Sequence, residues 1–271
     1  FPSMKPRIVF MGTPDFAVEA LAALLDAGMD VVGVITAPDK PSGRGLKTNE
    51  SAVKRFAMSR GLRILQPFRL KSPEFQQELR DLKPDLQIVV AFRMLPEAVW
   101  NLPPMGTFNL HASLLPQYRG AAPINWAIIN GETETGITTF LLNENIDTGA
   151  VLFREKMAIG PDETAGELHD RLMQAGATLV VKTVEALSKG DTVAVPQEEL
   201  PECSVRREAP KLNKENTRID WSRTAAEIHN LVRGLSPYPV AHTELHFTDG
   251  KAPIPFKIYK TKPFLSIEAA G

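Results

Sequence analysis

Two polar residues that could take part in chemistry lie two positions apart near the middle of the chain. In the stretch FNLHASLLPQYRGAAPINW, Asn109 and His111 follow an apolar run. On a β-strand, residues i and i+2 project from the same face, so this amide and imidazole would point into one cleft. Asp147, in the later stretch IDTGA, offers a carboxylate to that cleft. Together they could stabilise a developing charge and move a proton; the alternative is a buried structural pair.

The turn after this pair indicates where the cleft lies. In SLLPQYRGAAP, a proline and an Arg-Gly pair end the strand abruptly, so Asn109 and His111 stand near its carboxyl end. Ligands of open α/β sheets bind outside the carboxyl ends of the strands. The sequence thus predicts a ligand site, with one rigid wall, at this edge of a sheet.

The surrounding elements predict an α/β fold. Apolar runs typical of buried parallel strands alternate with segments of helical spacing. The predicted strands are RIVFM, DVVGVIT, a short one at 63–65, LQIVVAF and TFNLHAS, and helices are predicted after RIVFM, at Ser51–Ser59 and at Pro73–Asp81. This alternation favours a doubly wound, mostly parallel sheet. TGITTFLL and AVLFREKMAI predict a further strand pair, and a Thr164-x-x-Glu167 capping box predicts a long helix.

The chain changes in character after that helix. GDTVAVPQEELPECSVRREAPKLNKEN is polar, contains several prolines and is partly basic, which predicts a linker. A second capping box, Thr224-x-x-Glu227, predicts a short helix, and VAHTELHF and IPFKIYK alternate like strands of a small β domain. We predict a domain at residues 4–190, a linker at 191–210 and a short β domain at 211–271, which we expect to be incomplete as a barrel.

Two common kinds of site are not indicated. MGTPDFA has one glycine where a dinucleotide-binding turn has three, and Asp15 would stand where a pyrophosphate lies. His242 and His246 lie in a strand pattern without Cys or Glu-x-x-His companions, so no metal site is predicted. We interpret these two histidines, together with His169 and His229 in predicted helices, as structural.

Composition excludes several classes of protein. Of 271 residues, 43% are apolar and 23% charged, with a net charge of −1, so the whole molecule has no bulk attraction for nucleic acid or membranes. No run reaches the ~18 apolar residues of a membrane span, and the first residues lack the pattern of a secretion signal. The single Cys203 precludes an intramolecular disulfide and suits a reducing compartment. We expect a cytoplasmic monomer.

Longer motifs point to a family. NLHASLLPQYRGAAPIN, followed by IDTG, resembles the signature of the 10-formyltetrahydrofolate-dependent formyltransferases. MGTPDFA, TAPDKPSGRGLK and AAPINWAIINGETETGITT resemble the branch of that family that formylates charged initiator tRNA, and the similarity extends from Arg7 to about Tyr259. The resemblance implies a Rossmann-like formyl-transfer domain followed by a small OB-like domain that helps to hold tRNA.

The resemblance also implies the site residues. The family's catalytic residues correspond to Asn109, His111 and Asp147. Its folate-binding residues correspond to Ser113, Leu114, Leu115 and Pro116, with pterin contacts at Arg93, Met94 and Leu95. The formyl donor would be 10-formyltetrahydrofolate, and no metal is required.

Formyl transfer to an amine passes through a tetrahedral intermediate with negative charge on the formyl oxygen. A donor aimed at that oxygen is worth about 3–4 kcal/mol in comparable acyl-transfer sites. We assign Asn109 to oxyanion stabilisation, His111 to oxyanion stabilisation and proton transfer, and Asp147 to orienting His111 and favouring its charged form. Free α-amines titrate at about pH 7.7–8.0, so positioning matters more than a strong base.

Basic residues predict the acceptor. The loop Pro38–Lys47 follows a strand at the same sheet edge and suits the phosphates of a tRNA acceptor end; the alternative is a mobile, solvated loop. From residue 205 to the end, 11 Lys and Arg stand against 7 Asp and Glu, whereas residues 1–204 carry 20 against 25. Chance would also explain this asymmetry. We predict tRNA contacts at Lys40, Arg44, Lys47, Arg206, Arg207 and Lys211.

The predicted function is transfer of the formyl group of 10-formyltetrahydrofolate to the α-amine of methionyl initiator tRNA, for translation initiation. Two alternatives stay open. A sugar-nucleotide N-formyltransferase would share the three catalytic residues but needs no basic loop. A non-catalytic folate- or RNA-binding module would not need those three residues intact.

Overall fold

The computed structural model describes residues 5–41, 43–44, 48–201 and 205–264. In chain order its strands are β1 (Arg7–Gly12), β2 (Asp30–Ile35), β3 (Lys40–Pro41), β4 (Thr48–Asn49), β5 (Ile64–Leu65), β6 (Leu86–Val90), β7 (Thr107–His111), β8 (Arg119–Gly120), β9 (Glu134–Leu141), β10 (Val151–Ala158), β11 (Glu208–Ala209), β12 (Ala241–Leu245) and β13 (Ile254–Ile258). Its α-helices are α1 (Asp15–Asp26), α2 (Ala52–Ser59), α3 (Pro73–Asp81), α4 (Glu97–Trp100), α5 (Pro123–Ile129), α6 (Ala165–Lys189) and α7 (Ala225–Gly234).

A seven-stranded sheet with the order β10-β9-β7-β6-β1-β2-β5 forms the centre. The five strands from β5 to β7 are parallel, whereas β9 is antiparallel to β7 and β10 antiparallel to β9. The prediction of a doubly wound, mostly parallel sheet is confirmed. The strand predicted over LQIVVAF is shorter than expected, because Ala91 has a φ of 51° and so leaves the extended conformation directly after Val90.

Both faces of the sheet are covered, which explains the continuous apolar runs of its strands. In β1, Ile8 and Phe10 pack on the face that carries α1, α2, α5 and α6. The alternate residues Val9 and Met11 pack on the other face, against α3 and α4. The side chains of one strand therefore contribute to two hydrophobic cores, because successive residues point to opposite faces.

Helix caps appear where the sequence predicts them. The Thr164 side chain accepts from the Glu167 N–H, and the Glu167 carboxylate accepts from the Thr164 N–H, so the capping box of α6 is confirmed. Ser51 caps α2 and Thr224 caps α7 through one hydrogen bond each, and among the described residues no bond from the Thr224 N–H to the Glu227 carboxylate completes the second predicted capping box. These bonds satisfy amide groups that have no partner within the helix.

The C-terminal part packs against the main body. β12 and β13 form an antiparallel pair, and α7 lies against α5, where the Asn125 amide donates to the Gly234 carbonyl at 2.8 Å. The segment predicted as a linker contains β11, which pairs in parallel with β8 and whose Ala209 is fully buried. In the described part of the chain, no helix has both the length and the apolar character that a bilayer crossing requires.

Candidate active site

A cavity of about 1080 Å³ opens at the carboxyl ends of the parallel strands. Residues that follow β1, β2 and β6 form its walls, and Asn109 and His111 at the end of β7 line it. Asp147, from the loop between β9 and β10, lines it as well. The structure therefore brings the three predicted catalytic residues into one cavity, at the sheet edge where ligands of open α/β sheets bind.

His111 is held by a backbone carbonyl. Its Nε2 lies 2.8 Å from the Tyr118 oxygen. A carbonyl oxygen can only accept, so Nε2 carries a proton and donates it. The other ring nitrogen, Nδ1, faces Asp147, with 3.8 Å between Nδ1 and Oδ2. The side chain of His111 is buried. The imidazole is thus oriented by the hydrogen bond that it donates to the Tyr118 carbonyl, while Asp147 faces the ring at ion-pair distance.

Asp147 is fixed by its own set of contacts. Its Oδ2 accepts from the Gly120 N–H at 2.9 Å, and its carbonyl accepts from the Gln197 amide at 2.8 Å. The same Gln197 amide donates to the Gly149 oxygen at 2.8 Å. Asp147 adopts a φ of 53°, a left-handed conformation that Asp tolerates better than most residues. The carboxylate is therefore held in place by groups of the protein itself.

Tyr118 combines an unusual backbone with an anchored side chain. Its φ of 57° turns the carbonyl towards His111. Its buried phenol donates to Glu132 Oε1 at 2.6 Å. Burial and this carboxylate raise the pKa of Tyr118 to about 12, so the phenol stays a hydrogen-bond donor throughout the physiological range.

Asn109 is half-buried and lines the cavity. Its backbone pairs in β7, and among the described residues its side-chain amide has no hydrogen-bond partner. An unpartnered amide offers two N–H donors and one acceptor to a ligand. It shares the cavity wall with His111, as expected of positions two apart on a strand.

The predicted folate-binding residues fall into two groups. Arg93, Met94 and Leu95 all line the cavity. Arg93 donates to the carbonyls of Phe68 and Pro67 at 3.1 and 2.8 Å, which ties the segment after β6 to the turn before α3. Burial lowers the pKa of its guanidinium.

The second group does not line the cavity; its members are Ser113, Leu114, Leu115 and Pro116. After His111 the chain turns inward, where the Thr138 hydroxyl donates to the Ser113 carbonyl at 2.7 Å and accepts from the Leu115 N–H at 3.1 Å. Leu115 is fully buried as a result. These residues support the turn behind His111, and their assignment to folate binding stays a prediction from the family resemblance.

The predicted tRNA-binding residues are exposed where they are described. Lys40 lines the cavity and begins a small ribbon in which β3 pairs with β4. Arg44, Arg206, Arg207 and Lys211 are exposed, and Lys47 lies outside the described residues, as does Cys203. Neighbouring Lys54 instead holds the base of the loop, because its Nζ lies 2.7 Å from Asp39 Oδ2 and lowers the pKa of that carboxyl.

Several residues of the site escaped the sequence analysis. His169, interpreted as structural, lies edge-on to the Phe16 ring at 5.3 Å, and both residues line the cavity. Gln197 supports Asp147 from a segment that sequence patterns assign to a linker. Tyr118 and Gly120 lie within SLLPQYRGAAP, and this motif is the sequence feature that could have indicated them. Among the described residues, no group of three His, Cys, Asp or Glu side chains is placed to hold a metal ion.

Two family models match the chain. The model described as formyl transferase matches residues 6–184, and the model described as formyl transferase, C-terminal domain, matches residues 211–270. Among curated proteins, the methionyl-tRNA formyltransferase of Bacteroides fragilis is 56% identical over 256 residues, which are 94% of this chain and 79% of that protein. The methionyl-tRNA formyltransferase of Parabacteroides distasonis is 57% identical over 258 residues, with the same coverage.

Solved structures of lower identity share the fold. An N-formyltransferase of Helicobacter canadensis, in complex with folinic acid and dTDP-3-aminofucose, has a TM-score of 0.64 at 22% identity, over 84% of this chain and 80% of that one. A sugar N-formyltransferase of a Shewanella species has a TM-score of 0.69 at 17% identity, over 96% and 99% of the two chains.

Proposed function

This chain belongs to the formyl transferase family, and on that premise we propose that it is a methionyl-tRNA formyltransferase. It transfers the formyl group of 10-formyltetrahydrofolate to the α-amine of methionyl initiator tRNA. The observation that carries the chemistry is the convergence of three groups in one cavity: the unpartnered amide of Asn109, the Nδ1 of His111 and the carboxylate of Asp147. The acceptor is proposed to be methionyl initiator tRNA because the curated relatives are methionyl-tRNA formyltransferases.

The reaction needs a proton carrier as well as an oxyanion donor. The nitrogen of the α-amine attacks the formyl carbon, a C–N bond forms, and the carbonyl electrons move to the oxygen. His111 Nδ1 takes the proton that the amine loses, and the Asn109 amide donates to the oxyanion. The bond from the formyl carbon to N10 then breaks as N10 receives the proton from His111. The products are the formylated amine and tetrahydrofolate.

The fixed groups explain why His111 can play this part. The Tyr118 carbonyl occupies Nε2, so Nδ1 is the nitrogen that remains for the substrate. Asp147 stabilises the imidazolium that forms when Nδ1 takes the proton. Because both groups are held by the backbone of residues 118–120, the site requires little reorganisation during the reaction.

The two substrates are assigned to different parts of the cavity. We place the folate against Arg93, Met94 and Leu95, which line one part of the wall. We place the acceptor end beside Lys40, where the basic loop borders the cavity. A volume of about 1080 Å³ is at the upper end of what single small-molecule sites have, so it suits two substrates meeting at their reacting groups.

The competing acceptor is an amino-sugar nucleotide, because the Helicobacter protein of similar fold is in complex with dTDP-3-aminofucose. The experiment offers the enzyme formyl-labelled 10-formyltetrahydrofolate with charged initiator tRNA in one reaction and an amino-sugar nucleotide in another. We expect label in the tRNA product and little in the sugar. Preferential labelling of the sugar nucleotide would refute the proposed acceptor.

The basic loop should make tRNA formylation sensitive to salt. Each phosphate neutralised by Lys40, Arg44 or Lys47 releases condensed counterions, so binding weakens as salt rises. Replacing all three by Ala should raise KM for charged tRNA and flatten its log–log salt dependence by up to about two units, since single-stranded contacts contribute roughly 0.7 each. Affinity for the formyl donor should barely change.

A matched control for that variant is the triple Ala replacement of Lys156, Lys182 and Lys189. These lysines are exposed, lie on β10 and α6, and do not line the cavity. The control removes the same net charge and should leave the salt slope unchanged. Wild-type tRNA kinetics in the loop variant would remove the loop from acceptor binding and would favour the sugar nucleotide.

A further inference from the structure

The linker segment, defined here as Val205–Pro210, lies directly behind the residues that hold His111 and Asp147. Through β11 and β8, Glu208 pairs with Arg119 and Ala209 with Gly120. The Tyr118 N–H donates to the Arg207 carbonyl at 2.7 Å. Residues 118–120 are thus bonded to the linker segment along their whole length.

The same three residues hold His111 and Asp147 on their other side. The Tyr118 carbonyl accepts from His111, and the Gly120 N–H donates to Asp147. One peptide stretch therefore separates the linker segment from both catalytic side chains. The approach is close: Gly120 has a φ of 127°, and a Cβ at this position would stand 2.4 Å from the Ala209 oxygen. A shift of the linker segment has to move residues 118–120 with it.

Side chains outside the cavity fasten the linker segment to the body. The Gln117 amide donates to the Val205 carbonyl at 2.8 Å, and its oxygen accepts from the Arg207 N–H at 3.0 Å. The Trp126 indole donates to the Pro210 carbonyl at 2.7 Å. Neither Gln117 nor Trp126 lines the cavity. Their hydrogen bonds reach the linker segment at both of its ends.

The exposed side of the linker segment carries charge. Arg206 and Arg207 are exposed, and Arg207 Nη1 lies 3.5 Å from Glu132 Oε1, the oxygen that also accepts from the Tyr118 phenol. A phosphate bound to these arginines would stabilise the linker segment in the position in which it pairs with residues 118–120. Binding energy used in this way raises kcat, because it positions groups that act in the transition state.

We propose that the linker segment positions His111 and Asp147, with Gln117 and Trp126 as positioning residues, so that turnover depends on contact between the acceptor's phosphates and the linker segment. This inference rests on the proposed function, since it takes a polyphosphate acceptor as given. It makes the linker segment part of the active site as well as a surface for the acceptor.

The test measures kcat and KM separately for Gln117→Ala and Trp126→Phe. Each variant removes hydrogen bonds to the linker segment and leaves every cavity-lining side chain in place. We expect kcat with charged tRNA to fall at least about 10-fold, because small misplacements of catalytic groups are costly. KM for tRNA, the Kd of the donor and the melting temperature should stay close to wild type. Arg207→Gln should lower kcat and raise KM together.

The matched control is Lys156→Gln, which removes one member of an exposed pair on β9 and β10, 3.8 Å from Glu134. It should have wild-type kinetics. A rise in KM without a fall in kcat would overturn the proposal, because the linker segment would then be a docking surface alone. A loss of donor affinity or of melting temperature that accounts for the fall in kcat would overturn it too.

A second readout does not depend on the acceptor. We expect slow hydrolysis of 10-formyltetrahydrofolate in the absence of acceptor, with His111 and Asp147 acting on water in place of the amine, and we expect its rate to fall by a similar factor in Gln117→Ala. Unchanged hydrolysis would contradict the positioning role. If the wild type failed to formylate charged tRNA, the proposed function would fail instead, and the hydrolysis comparison would still test the positioning role.

Discussion

Asn109→Ala is expected to lower kcat by about 10²-fold or more, the scale of losing one oxyanion donor. The amide of Asn109 faces the cavity without a partner among the described residues, so its removal leaves the fold intact and takes away a donor needed when charge develops. His111→Ala should have an effect of at least similar size, because it removes the group that carries the proton from the amine to N10. Single-turnover formylation of charged tRNA measures both.

Donor binding separates this role from a structural one. The Kd of 10-formyltetrahydrofolate should change much less than kcat in both variants, since the folate is assigned to Arg93, Met94 and Leu95. Asn101→Ala is a matched control, because Asn101 is exposed at the end of α4 and does not line the cavity. Near-full turnover by Asn109→Ala or His111→Ala would refute the corresponding role.

The second large effect is expected for Asp147→Asn. The substitution keeps the shape of the side chain, and an amide oxygen can still accept from the Gly120 N–H, so the loop should keep its conformation. It removes the negative charge that stands 3.8 Å from His111 Nδ1. The imidazolium formed during the reaction then lacks its counter-charge. We expect kcat to fall on the order of 10²-fold or more, the range of assisted proton transfer.

Three measurements complete this prediction. Single-turnover formylation of charged tRNA should show the fall in kcat, whereas the Kd of 10-formyltetrahydrofolate should change little in Asp147→Asn. The melting temperature should change little, because the Gln197 contacts to the backbone of this loop are kept. Wild-type turnover by Asp147→Asn would remove Asp147 from its role beside the imidazole.

Local patterns were enough to predict much of the architecture. Apolar runs that alternate with helical spacing predicted the parallel sheet, since strands buried on both faces have no polar positions. The two-residue spacing of Asn109 and His111 predicted that both would line one cavity, because the side-chain period of a strand is two. The capping box predicted the start of α6, because its hydrogen bonds join residues three apart. Each of these features depends on neighbours in the chain.

Tertiary structure alone decided how the site is held. Which His111 nitrogen faces the cavity depends on a left-handed backbone at Tyr118, which no residue-type preference indicates at a tyrosine. The position of Asp147 depends on Gln197, fifty residues later in a polar segment without periodicity. The turn after His111 likewise depends on Thr138 of β9, whose hydroxyl bonds to the backbone of Ser113 and Leu115. Such contacts join segments far apart in the chain, and their register is set by packing of the whole fold.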